Sequence, residues 1–429
     1  MPNRILQSRF PSALTTAPQA ISTEQKVTSE KLISIVIPNW NGKHYLADCL
    51  DSIRKQTHKS IETIIVDNGS HDGSVEFLKT NYPEVKLITF EVNTGFSPAV
   101  NAGIRAATGS YIALLNNDTI IEPLWVEELV KGLDEHPEVG SVGCKMLAYD
   151  DQTILDGVGD GYRRGGLPGR IGHKEKDEGR FDTQRYILGA CGGAAMYRRE
   201  LFDDIGLFDD DYFAYLEDVD LGLRAQSAGY KCLYIPTAIV YHLGCGTTGS
   251  GYSAMVVKLS AQNNFNTIVK NIPMPLLLKF LPHIFYWQAF YLAVVTIRGG
   301  QLVPWLIGTG KGIGMLPKML KKRAEINRKR KTSLEYFESI IIESERDLTE
   351  AKARLYAKAR LEKKEAALKA KLEPRDSKNK SGDSDPGQND TALKRAESAR
   401  HLSSTAKGRT ESQPQSPERE ANKVTNREP

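Results

Sequence analysis

Between Leu32 and Asp118, short apolar runs and helical patterns alternate four times. No other feature constrains the fold as strongly. The runs Leu32–Ile37, Glu62–Val66, Val85–Phe90 and Tyr111–Leu115 are rich in Ile, Val and Leu and end in polar or turn-forming residues, as buried strands do. After the first run, Tyr45, Leu46, Cys49, Leu50 and Ile53 recur at helical spacing. Asp72 or Ser74 can cap a second helix through Phe77 and Leu78, and Pro98 to Ala107 reads as a third. The alternation predicts βαβ units with right-handed crossovers, hence an α/β fold around a mostly parallel sheet. Such sheets bind ligands in the crevice beyond the carboxyl ends of their strands.

Polar residues stand at each of those ends: Asn39, Asp67, Asn93, and the triplet Asn116-Asn117-Asp118. A carboxylate beside two amide carbonyls offers hard oxygen ligands for Mg²⁺ or Mn²⁺, or for a sugar hydroxyl. The plainer alternative is an Asx turn after a strand. Asp67 follows Ile-Ile-Val directly, which places a carboxylate at the sheet's mouth, able to accept from a base or ribose. A nucleotide-binding half-domain follows, yet neither G-x-x-x-x-G-K-[ST] nor G-x-G-x-x-G occurs, and Gly308 to Gly314 satisfies neither. Phosphates would then need a metal, which returns attention to Asp118.

Farther on, Asp150 to Asp182 is glycine-rich and charged, and reads as a mobile lid or a variable insertion. The glycines of Tyr186 to Tyr197 let backbone approach a ligand or another strand, and a helix starts near Arg198-Arg199. In the helix opened by Glu217-Asp218-Val-Asp220, i,i+4 spacing predicts an Asp220–Arg224 pair. Asp218, on another face, is free to point into the crevice. Two strand-like pieces, Tyr230–Ile235 and Ala238–Tyr241, deliver His242, either a structural histidine or a metal ligand.

The ordered set Ser34-Ile-Val-Ile-Pro-Asn-Trp-Asn-Gly42, Val66-Asp-Asn-Gly-Ser70, Asn93-Thr-Gly-Phe96 with Asn101-Ala-Gly103, Leu114-Leu-Asn-Asn-Asp118, Glu217 to Arg224, Ala228-Gly-Tyr230 and Tyr241-His242 resembles family 2 glycosyltransferases of the GT-A fold, in their rhamnosyltransferase-like branch. The resemblance covers Leu32 to about Gly249. It implies inverting transfer of a sugar from a nucleoside diphosphate, with dTDP-rhamnose the first donor to try, to a hydroxyl of a polysaccharide or lipid-linked glycan. It further implies Asp67 on the base or ribose, with Pro38, Asn39, Asn93, Gly95, Asn101 and Asn117 around the donor. Asp118 and His242 would hold the metal, and Asp218 would act as general base with Glu217 beside it. Related enzymes often carry aspartates where this chain has Asn116 and Asn117, which weakens the expected metal site. Those asparagines and the long C-terminal helix favour a second reading, a catalytically silent GT-A domain serving as a nucleotide-sugar-binding or scaffold subunit.

The 429 residues suggest a core with appendages. The expected division is a flexible leader (1–31), the GT-A domain (32–250), a helical, membrane-associated and basic segment (251–331), a charged helix (332–373) and a disordered tail (374–429). Five cysteines without C-x-x-C spacing fit buried thiols in a reducing cytoplasm. Pro275 to Ile297 is the most apolar stretch, interrupted by Lys279, Pro282, His283 and Gln288. Its aromatic residues Phe285, Tyr286, Trp287, Phe290 and Tyr291 suit a membrane interface, and the basic cluster Lys318 to Lys331 suits anionic headgroups. A helical hairpin packed on the domain is the plainer alternative. These features place the protein at the cytoplasmic face of the membrane; with no recognition motif, nucleic acid is not expected. Ile341, Leu348 and Leu355 recur by seven, as in a coiled coil that could pair two copies; a single solvated helix is the other reading. The stretch after Pro374 has too few aliphatic residues to fold.

Overall fold

The computed structural model describes residues 30–243 and 253–372. The leader, Cys245 and the tail therefore lie outside the described residues, apart from the leader's last two positions. The chain opens with β1 (Ile33–Asn39), α1 (Lys43–Arg54), β2 (Ile61–Asn68), α2 (Ser74–Asn81), β3 (Lys86–Phe90), α3 (Phe96–Ala106) and β4 (Tyr111–Leu115). These strands lie parallel in the order β3-β2-β1-β4, as the alternation predicted. All five residues of β4 are buried, the expected state of an apolar run covered on both faces. Asp72 does act at a helix start: its carboxylate accepts the Ser74 N–H at 3.0 Å and the Lys43 N–H of α1 at 2.8 Å.

The second half widens the sheet. It supplies β5 (Thr119–Ile121), α4 (Trp125–Glu135), β6 (Val139–Ala148), β7 (Leu155–Gly157), β8 (Asp160–Tyr162), β9 (Pro168–Arg170), β10 (Arg185–Ile187), β11 (Ala194–Arg198), α5 (Arg199–Ile205), α6 (Glu217–Ala228) and β12 (Lys231–His242). β11 enters antiparallel between β4 and β6, and β12 then runs parallel to β6. The pieces read as two strands are the single strand β12. Pro236 lies where its register against β6 shifts, between Ile235 and Ile239, because a proline cannot donate to the ladder.

Asp150 to Asp182 is not a mobile lid. β8 and β9 form an antiparallel hairpin, and Val158 and Tyr162 are completely buried. Apolar anchors at Leu155, Val158, Phe181 and Ile171 hold the segment in the same core as Leu114 and Tyr234.

Among the described residues, five helices follow: α7 (Ala254–Asn271), α8 (Met274–Ile297), α9 (Leu302–Gly314), α10 (Leu316–Lys329) and α11 (Leu334–Leu372). The glycines of Gly308 to Gly314 serve packing. A Cβ on Gly308 would stand 2.1 Å from the Lys258 carbonyl oxygen, so only glycine lets α9 lie against α7 here. Phe337 and Ile341 of α11 share a core with Tyr162, Leu223 and Phe280, and Leu348 packs over Gly161 and Gly169. The heptad positions Ile341 and Leu348 are thus occupied within the chain, so their spacing does not encode pairing of two copies. The compact unit containing all these contacts ends at Lys363; residues 364–372, in a second unit, continue as helix.

The basic cluster is largely engaged. Lys318 and Lys322 pair with Asp211, Lys322 also with Asp209, Lys331 with Asp204, and Arg323 donates to the Ile272 carbonyl. It is therefore not a free cationic patch. Trp287 likewise packs against Gly165 under the Arg163 guanidinium instead of joining an exposed belt.

Candidate active site

A cavity of about 640 Å³ opens at the carboxyl ends of β1 and β4, between the nucleotide-type half and α6. Pro38, Asn39, Asn93, Gly95, Asn117, Asp118, Glu217, Asp218 and His242 all line it, so the sequence expectations converge on one place. Asp67 and Asn101 do not.

Asp67 is 1% exposed. Its Oδ2 accepts from Asn39 Nδ2 at 2.8 Å and its Oδ1 from the Ser70 N–H at 3.0 Å. Asn39 in turn accepts from Asn117 Nδ2 at 2.7 Å. Asp67 therefore orders the loops of β1, β2 and β4 from below, and Asn68 takes its expected place in the wall. Asn101 also has a structural role, because its amide bonds the backbone N–H and C=O of Phe208 and the Asp210 carboxylate. Gly95 has φ of +97°, and a Cβ there would meet the Phe213 carbonyl oxygen at 2.5 Å.

Asp118 and His242 meet because β5 and β12 pair, with Thr119 opposite His242. His242 Nε2 lies 3.4 Å from Asp118 Oδ1, and its Nδ1 lies 2.8 Å from Asp156 Oδ2. Burial opposes protonation of this imidazole, but hydrogen bonds to the two carboxylates prevail and hold its pKa up at about 9. Burial likewise opposes ionisation of Asp156, yet His173, His242 and Arg170 keep its carboxyl well below the ordinary range.

Asp218 occupies the start of α6, behind two residues of left-handed backbone, Tyr215 (φ 73°) and Leu216 (φ 66°). Such conformations cost non-glycine residues roughly 1–3 kcal/mol each and persist where the surroundings over-determine them, often at functional turns. The Asp218 carboxylate accepts the Val219 N–H at 2.8 Å and the Gly192 N–H at 3.2 Å. Glu217 and Asp160 flank it; burial, with the Asp218 charge added, pushes both carboxyls well up and disfavours their charged forms. Asp220 faces away, paired with Arg224 at 2.9 Å as the spacing predicted, and with Lys270.

Four titratable cavity residues of the 150–182 segment are not marked by any motif in the sequence: Asp156, Asp160, Arg170 and His173. Their signal was the spacing of Leu155, Val158, Tyr162 and Ile171, a strand-like framework obscured by the glycines between them. A smaller cleft of about 390 Å³ beside α10 is lined by Asp209, Asp211, Lys270, Lys318 and Lys322. There the charges satisfy one another, leaving little to bind a ligand.

The family model described as glycosyl transferase family 2 matches residues 34–206. The N-acetylglucosaminyl-diphospho-decaprenol L-rhamnosyltransferase of Mycobacterium tuberculosis is 25% identical over 240 residues, 51% of this chain and 78% of that protein. The O-antigen biosynthesis protein RfbC of Myxococcus xanthus is 29% identical over 54% of this chain and 19% of its own length. Among solved structures, a mannosyltransferase from Pyrobaculum calidifontis in complex with GDP-Man and Mn²⁺ is 19% identical, covering 70% of this chain and 86% of that one, with a TM-score of 0.43.

Proposed function

We propose that this chain, a family 2 glycosyltransferase by its residues 34–206, moves a sugar from a nucleoside diphosphate to an acceptor hydroxyl in one displacement with inversion. The observation that carries the reading is one cavity lined together by the Asp118–His242 pair, the hydrogen-bonded Asn39 and Asn117, and Asp218 of α6. One carboxylate is needed to take the acceptor's proton, and Asp218 is the candidate, its oxygens oriented by two backbone N–H groups. A retaining route needs an ionised carboxylate as nucleophile. Burial and the Asp218 charge push the neighbouring Glu217 and Asp160 carboxyls up, which disfavours the ionised form that role needs.

The donor set fits a divalent cation of the Mn²⁺ or Mg²⁺ kind. Asp118 offers oxygen, and His242, on giving up the proton its carboxylate neighbours favour, would present Nε2 beside Asp118 with Nδ1 turned to Asp156, as a second carboxylate typically orients a ligating histidine. When bound, the cation supplies positive charge for the departing diphosphate. Asn117 and Asn39 would contact the donor's nucleoside side, with Asn93 and Gly95 closing it.

The rhamnosyltransferase similarity supports dTDP-rhamnose as the first donor to try and a lipid-linked glycan as acceptor. A membrane-facing position fits the α8–α9 pair, which exposes Phe285 (72%), Tyr286 (65%), Ile297 (83%) and Val303 (63%). α8 is long and apolar enough to cross a membrane by length and composition. Lying in the interface of the cytoplasmic face suits its aromatic residues better. A silent binding or scaffold subunit would not need Asp218 oriented by two backbone N–H groups in the same cavity as Asp118 and His242. The test is transfer and donor hydrolysis with a panel of UDP-, GDP- and dTDP-sugars, with Mn²⁺ or EDTA. Asp218→Asn is expected to lower turnover about 10²–10⁴-fold while leaving nucleotide affinity intact. Near-normal turnover in that variant would sink the base assignment, and equal nucleotide affinity with EDTA and Mn²⁺ would sink the cation.

A further inference from the structure

The cavity wall between the cation pair and the base is built by the β7–β9 segment. Asp156 Oδ2 is shared: His242 Nδ1 lies 2.8 Å from it and Arg170 Nη1 2.5 Å. Arg170 stands directly across the β8–β9 hairpin from Asp160. A carboxylate oxygen of Asp160 lies within 4.8 Å of one on Asp218 and of the Cys191 sulfur. One continuous line of polar groups thus runs from His242 through Asp156, Arg170 and Asp160 to Asp218.

A transferred sugar has its reacting carbon between the diphosphate, near the cation, and the acceptor oxygen, near the base. Resting on the function proposed above, that geometry lays the sugar ring along this same wall. Asp160 lines the cavity at 6% exposure, and no N–H or hydroxyl of the described residues donates to its Oδ2; its neighbour there is the Asp218 carboxylate. A buried polar atom left without a partner is costly, and one in a cavity wall is satisfied when a ligand arrives. We propose that Asp160, positioned by Arg170, hydrogen-bonds a ring hydroxyl of the donor sugar and so determines which sugar the enzyme accepts. A carboxyl accepts from a hydroxyl when ionised and can also donate to one when protonated. Sites built to hydrogen-bond a hydroxyl reject analogues lacking it far more strongly than apolar pockets reject an extra group.

Calorimetry on the full chain with Mn²⁺ tests this, using dTDP-rhamnose and dTDP, or the sugar nucleotide selected by the panel with its own diphosphate. Asp160→Ala is expected to weaken the sugar nucleotide about tenfold and leave the free diphosphate within about twofold. Retained diphosphate affinity also reports a folded site. Asp160→Asn, which keeps one donor and one acceptor, should recover part of the loss. Equal weakening of both ligands would make Asp160 a diphosphate contact and overturn the proposal, as would no change in either. Should Asp160→Ala bind nothing, Asp160→Asn decides alone: unchanged sugar-nucleotide affinity overturns the proposal, and a selective loss supports it. Wild-type protein that binds no sugar nucleotide would defeat the functional reading itself, and this proposal with it.

Discussion

Replacing Lys270 with Met removes the cation that ties α7 to α6. The Lys270 ammonium lies 2.6 Å from Asp209 and 2.7 Å from Asp220, with side-chain exposures of 4%, 7% and 0% for the three residues. Methionine is similar in length and flexible, so little of the loss will be cavity. What remains is electrostatic. Breaking a buried ion pair by deleting one partner costs about 3–5 kcal/mol. Asp220 keeps Arg224 and Asn271, and Asp209 keeps Lys322, which argues for the lower end, about 3 kcal/mol. For a body of this size, about 2 °C per kcal/mol puts the fall in Tm at about 6 °C. Circular dichroism melts of wild type, Lys270→Met and Lys270→Met/Asp209→Asn are the assay, the double variant recovering part of the loss. The sign with pH follows from the aspartates. Burial opposes their ionisation, but Lys270 with Lys322 and Arg224 holds both below the ordinary aspartate value. Their stabilisation is therefore full above the unfolded pKa of about 3.9 and is lost as pH falls through the folded values. The gap between wild type and variant should be complete at neutral pH and narrow in acid. A Tm within about 2 °C of wild type at pH 7 would refute the reasoning.

Asp156→Ala releases the Nδ1 side of His242, and Mn²⁺ affinity measured by calorimetry is expected to fall about 10–100-fold; an unchanged value would mean the cation lies elsewhere. Asn101→Ala should cost about 1–3 kcal/mol of stability through the unpaired Phe208 backbone groups, with no change in nucleotide affinity, and a selective loss of nucleotide binding would restore Asn101 to the donor site. Phe285→Glu with Val303→Glu should move the protein from the membrane to the soluble fraction. Because the docking face proposed on α8 and α9 is apolar, and Lys318, Lys322 and Lys331 are paired with carboxylates within the chain, high salt alone should release little of the wild type; complete release by salt would contradict an apolar docking face.

The β1–β4 half and nine of the cavity's residues were legible in the sequence because each depends on local pattern. Apolar runs covered on both faces become parallel strands, and whatever follows such a strand arrives at its carboxyl end, as Asn39 and Asp118 do. The Asp220–Arg224 pair follows from helix geometry alone. Which way a side chain turns on arrival is not local. Asp67 sits at the predicted strand end, but Asn39 and Ser70 draw its carboxylate inward, and only the assembled loops decide that. Asn101 is claimed by a loop 107 residues away. The insertion shows the same limit from the other direction. Its glycines and charges read as mobile, yet Leu348 closes over Gly161 and Gly169, and Trp287 packs on Gly165. Helices more than a hundred residues downstream thus bury this hairpin and hold Asp156, Asp160 and Arg170 in the cavity wall. The basic cluster was visible as composition, but its charges meet the acids of residues 204–211 only in the fold. Pattern determines which segments become strands and helices, because burial periodicity is a property of neighbours in sequence; partner choice depends on which distant surfaces the core brings together.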